Sequence, residues 1–80
     1  MALHRSIFTV MKLNKVLQNS SGRFTTLVVN RHEGPTAYCA KINSVTENFV
    51  YFYDVNTGVD RRARPNQILS ARVGKQSYRA

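Results

Sequence analysis

Residues 49–65, Phe49-Val50-Tyr51-Phe52-Tyr53-Asp54-Val55-Asn56-Thr57-Gly58-Val59-Asp60-Arg61-Arg62-Ala63-Arg64-Pro65, decide the fold. In an extended chain, Phe49, Tyr51, Tyr53 and Val55 share one face, and Val50 and Phe52 share the other with Asp54. A short run that is apolar on both faces predicts a central strand. Asn56-Thr57-Gly58 then predicts a hairpin connection, with Gly58 at a position of positive φ. Val59 to Arg64 reads as a more polar strand. It is ended by Pro65, which donates no ladder hydrogen bond and belongs at an edge or a turn.

Upstream, Thr36 to Ser44 alternates, with Tyr38, Ala40 and Ile42 on one face and Cys39, Lys41 and Asn43 on the other. Val45-Thr46-Glu47-Asn48 joins it to the central run. Arg23 to Asn30 is rich in β-branched residues (Thr25, Thr26, Val28, Val29), and the turn signals His32-Glu33-Gly34-Pro35 close it. Downstream, Asn66-Gln67 predicts a brief turn and Ile68 to Val73 a last strand, followed by a charged tail over residues 74–80. Ile7, Val10, Met11, Leu13, Val16 and Leu17 suit a helix from Ser6 to Gln18, capped by Ser6 and ended by Asn19-Ser20-Ser21-Gly22. Within it, Ile7-Phe8-Thr9-Val10 alone also reads as extended. One domain is expected: a helix and loop over 1–22, a β unit over 23–73 and a basic tail.

The chain has 80 residues, 42% of them hydrophobic, which is too apolar for a disordered tail, yet a domain of this size buries only about 60% of its unfolded surface. Twelve Lys and Arg against four Asp and Glu give a net charge of +8, which predicts an acidic partner. The charge is segregated: residues 1–32 carry +5, residues 33–60 carry −3 and residues 61–80 carry +6. Folding that joins the two ends would create one positive face. The single cysteine, Cys39, excludes an intramolecular disulfide framework, and no apolar run has membrane-spanning length. Arg5 precedes a short apolar stretch, but Lys12, Asn14 and Lys15 interrupt it before any cleavage site. Secretion is therefore disfavoured and a cytoplasmic location is expected. Met11 is a second plausible start, and the sequence leaves the choice open.

Catalytic signals are weak. Cys39 has no histidine at a telling spacing, His4, His32 and Cys39 lack the spacing of a zinc site, and the glycines stand singly rather than in a phosphate loop. No metal or cofactor is expected. One enzymatic alternative remains, a small metal-independent ribonuclease using His32, Glu33, arginines or a tyrosine.

The strongest functional signal is Asp60-Arg61-Arg62-Ala63-Arg64-Pro65. On a strand, Arg62 and Arg64 leave one face about 7 Å apart, a spacing suited to successive phosphates. A charged edge strand blunted against aggregation has the same composition. The second signal is Phe49, Tyr51 and Tyr53 beside Lys41, a face able to stack bases. The same aromatics also suit a covered core face. Tyr53, near the strand end, is the candidate for exposure.

The order of elements, with Ala40-Lys41-Ile42, then Phe49-Val50-Tyr51-Phe52-Tyr53-Asp54, then Pro65-Asn66-Gln67-Ile68, resembles the small barrels of the Tudor, Sm and KOW kinds over residues 23–73. The resemblance implies a small five-stranded antiparallel barrel, Src-homology-three-like, with a short amino-terminal helix. It also implies binding of nucleic acid or peptides. The chain has no Trp, and a positive surface repels cationic peptides, so recognition of methylated side chains is not carried over.

These features together predict a non-catalytic nucleic-acid binder, with RNA preferred over DNA because no recognition helix for a major groove is evident. Arg61, Arg62 and Arg64 are the candidate phosphate contacts, supported by Arg23, Arg31, Lys41, Arg72 and Lys75, with Tyr53 stacking. The alternative is a protein-interaction module, for instance a phage-type inhibitor, that docks its basic face on an acidic protein or nucleoprotein surface. Homo-oligomerisation through the apolar run 49–55 is a further possibility.

Overall fold

The computed structural model describes residues 9–10, 12–20 and 22–80, with side chains from residue 12 onward. The protein is mainly β. The elements are β1 (Thr9–Val10), α1 (Leu13–Gln18), β2 (Thr25–Arg31), β3 (Gly34–Val45), β4 (Val50–Asp54), β5 (Val59–Ala63), a 3-10 turn (Pro65–Gln67), β6 (Ile68–Val73) and β7 (Gln76–Arg79). They form one sheet in the order β1-β7-β6-β2-β3-β4-β5, antiparallel throughout except where β1 runs parallel to β7.

The hydrogen-bonded ladder does not close into the expected five-stranded barrel: β5 and β1 are its two edges among the described residues. The sheet nevertheless curls. The first half of β3 pairs with β2 and its second half with β4, and the register slips between Ile42 and Ser44. A second slip separates Val28 from Val29 where β2 meets β6. Each irregularity bends a strand and increases its twist. The curl brings the end of β2 within reach of β5, where Arg31 Nη1 donates to the Arg62 carbonyl at 3.2 Å.

The concave face is the core. Phe52, Leu27, Ile68, Val29, Val50 and Val73 are fully buried there, with Ala40, Ala63 and Ala71. Helix α1 has six residues, too few to be stable alone, and it is held by Val16 and Leu17 inserted into this core. Ser20 Oγ donates to the Leu17 carbonyl, and Asn19 Nδ2 donates to Gln76 Oε1 at 2.7 Å, tying the helix end to β7.

Two expectations change at the ends of the chain. The helix begins at Leu13, with Lys12 at its cap, because Thr9 and Val10 pair with Gln76 and Ser77 as a strand. The predicted cap Ser6 lies outside the described residues. Residues 76–79, expected as part of a charged tail, form β7, folded back on β6 by a turn in which Gly74 has φ +59°. Gln76, Ser77 and Tyr78 are half-buried, and a four-residue alternation is too short to stand out among the charges around it.

Candidate nucleic-acid interface

Asp54 closes the β4–β5 hairpin. Its buried carboxylate accepts hydrogen bonds from the Asn56 amide at 3.1 Å, from Thr57 Oγ1 at 2.8 Å and from Arg61 Nε at 2.8 Å. The Thr57 and Arg61 donors hold its carboxyl below the usual aspartate range, against the opposing effect of burial. Arg61 pairs with Phe52 across the ladder and so lies on the concave side, with its guanidinium carbon 5.5 Å from the Tyr38 ring centre. Arg31 meets the same tyrosine: its Nε donates to Tyr38 Oη at 3.0 Å. Tyr38 itself packs edge-on against Phe52 at 5.3 Å. Arg31 and Arg61 therefore brace the inside of the sheet.

The convex side of β3–β5 is different. Tyr51 pairs with Arg62, Tyr53 with Asp60 and Lys41 with Tyr53. The guanidinium carbons of Arg62 and Arg64 lie 4.4 Å and 5.0 Å from the Phe49 ring centre, and Tyr51 is 5.9 Å from Phe49. One aromatic ring thus gathers two cations, limiting their rotamers while their N–H edges stay available. Tyr53 is exposed beside this group. Lys41 Nζ sits 5.1 Å from the ring centre of Phe24, a residue that is 58% exposed. Phe24 belongs to this surface although its sequence context, ahead of a β-branched run, gave no sign of it. The acid on this face, Asp60, accepts from Asn43 Nδ2 at 3.4 Å.

The remaining candidates lie elsewhere. Arg72 is on β6, paired with Thr26 and Ser77, Lys75 is exposed in the β6–β7 turn, and Arg23 packs by Gly74 in that turn. The first and last basic segments are thus neighbours in the sheet through β2, β6 and β7. Along the hydrogen-bonded ladder β5 lies beyond β4, β3 and β2 from β6, while the curl brings Arg31 of the first basic segment to the Arg62 carbonyl. His32 and Glu33 are exposed in the turn between β2 and β3. Among the described residues no three His, Cys, Asp or Glu side chains gather as a metal site, and no helix is long and apolar enough to cross a membrane. In comparisons with known proteins, the chain matches no family model, no curated protein and no solved structure.

Proposed function

We propose that this protein is a non-catalytic nucleic-acid-binding domain that takes single-stranded RNA in preference to DNA on the convex face of β3–β5. The observation that carries the reading is the clustering of Arg62 and Arg64 on Phe49, on the same face as Tyr51, Tyr53 and Lys41. Cations gathered beside aromatic rings form a general arrangement for holding a single strand by its backbone and stacking its bases. Arg62, Arg64 and Lys41 contact phosphate, and Tyr53 and Phe24 offer ring faces. Arg23, Arg72 and Lys75 extend the positive field. Arg31 and Arg61 support the frame, since their guanidinium groups are engaged with Tyr38 and Asp54.

The strand order β6-β2-β3-β4-β5 with a one-turn connector before β6 supports a half-open barrel similar to the Tudor, Sm and KOW kinds. A protein-interaction role is favoured by one feature, the edge of β5, which has no strand beside it among the described residues and, apart from the Arg62 carbonyl taken by Arg31, offers backbone groups to a partner. A salt-titrated binding assay on nuclease-treated protein decides between them, using single-stranded RNA, single-stranded DNA, duplex DNA and an acidic non-nucleic polymer. Tight RNA binding above the polymer control at physiological salt is expected. Equal, weak binding to all four overturns the reading and turns attention to a protein partner.

A further inference from the structure

The basic strand β5 ends at Ala63, Arg64 follows it, and at Pro65 the chain turns toward α1. Between the 3-10 turn and the helix lies a cleft of about 560 Å³, within the usual range for small-ligand sites of about 300–1,000 Å³. Lys12 and Lys15 line one wall, Pro65 and Asn66 the other, with Tyr78 from β7 between them. No carboxylate lines the cleft, and among the described residues neither lysine has an ion-pair partner. Unpaired ammonium groups over a cleft with a proline and a tyrosine in its walls suit a ligand that joins an anion to a flat or apolar body.

We propose that this cleft receives the next nucleotide of the strand bound on β4–β5, with its phosphate held by Lys12 and Lys15 and its base against Pro65 and Tyr78. The inference rests on the nucleic-acid reading above and extends it. Arg64 and Pro65 are adjacent in the chain and Pro65 lines the cleft, so the cleft begins one residue beyond the arginine pair, and no acidic residue is in its lining. Helix α1, which otherwise only seals the core with Val16 and Leu17, then has a role for its exposed lysines.

The test is a length series of oligouridylates, from dinucleotide to decanucleotide, titrated with salt against the wild type and Lys12→Ala/Lys15→Ala. Both lysines are exposed, and a circular dichroism melt confirms that the variant folds. The expected result is a salt slope on the decanucleotide reduced by about 0.7, the value for one phosphate contact on a single strand. The shortest oligonucleotides, confined to the sheet, show no change. An unchanged slope on the decanucleotide overturns the inference and leaves the sheet site standing, and so does an equal drop at every length, which assigns the lysines to diffuse charge. Failure of the wild type to bind any member above the acidic-polymer control removes the underlying reading, and the inference with it.

Discussion

Arg61 Nε and Asp54 Oδ2 meet at 2.8 Å across the β4–β5 hairpin, with the Asp54 side chain 4% exposed and the guanidinium lying beside Tyr38. This contact divides the arginines of residues 61–64 into two kinds. Arg61 is spent on the frame, and Arg62 and Arg64 remain on the convex face. Arg61→Ala leaves Asp54 buried without its charge partner, so the thermal midpoint falls. The salt slope of RNA binding stays at the wild-type value, because no phosphate contact is lost. Melts paired with salt-titrated binding separate the two effects, and a reduced slope with an unchanged midpoint would return Arg61 to the binding surface.

The same carboxylate predicts an acid limb in stability. The Thr57 hydroxyl and Arg61 lower its folded pKa relative to the unfolded value of about 3.9. The folded state therefore binds fewer protons, and the stabilisation is complete above the unfolded pKa and lost as pH falls through the folded one. Urea midpoints measured from neutral pH into the acid range should be flat with respect to this group until about pH 4 and then decline. Asp54→Asn lowers the midpoint at neutral pH and flattens the decline. An unchanged acid limb in that variant would place its origin in the other carboxylates.

Gly74 makes the turn that returns β7 to the sheet, at φ +59°, and a Cβ there would stand 2.8 Å from Arg23 Nη2. The tip of an arginine side chain moves easily, so the cost of Gly74→Ala is mainly the left-handed backbone, about 1–2 kcal/mol. Gly74→Asn should cost less, since Asn visits this region more readily. Chemical denaturation of the two variants checks the order. Equal losses would mean that the contact with Arg23, not the backbone, sets the cost.

Much of the sheet was legible because β2 and β4 obey a period of two with a clear apolar face. Val50 and Phe52 turn inward with Ala40, and Gly58 takes φ +72° in the turn where the residues 56–58 demanded it. The 3-10 turn falls at Pro65, where the chain loses a donor. What was not legible depends on contacts distant in sequence. Thr9 and Val10 become a strand only because Gln76 and Ser77 are beside them, and neither segment predicts the other. In the site, alternation distinguished Arg61 from Arg62 and Arg64, but the ring of Phe49 as the seat of both cations follows from how side chains fold over the sheet edge. Arg31 reads as one more basic residue until the curl of β3 brings Arg62 to it.

Charge and stacking can be tested apart on the convex face, because they reside on different residues. Arg62→Ala/Arg64→Ala removes two phosphate contacts and lowers the salt slope by about 1.4, at ~0.7 per contact on single-stranded RNA. Tyr53→Ala removes a ring face and no charge. It should weaken binding by about 1–3 kcal/mol, roughly five- to more than a hundredfold, with the slope unchanged. Tyr53 lies near Gly58 and is exposed, so its loss leaves the core intact. Salt titrations of both variants on one oligonucleotide give the two numbers. A Tyr53→Ala variant that binds as tightly as the wild type would mean that the strand is held by its phosphates alone. The aromatic residues of β4 would then act only as seats for the arginines, as Phe49 does for Arg62 and Arg64.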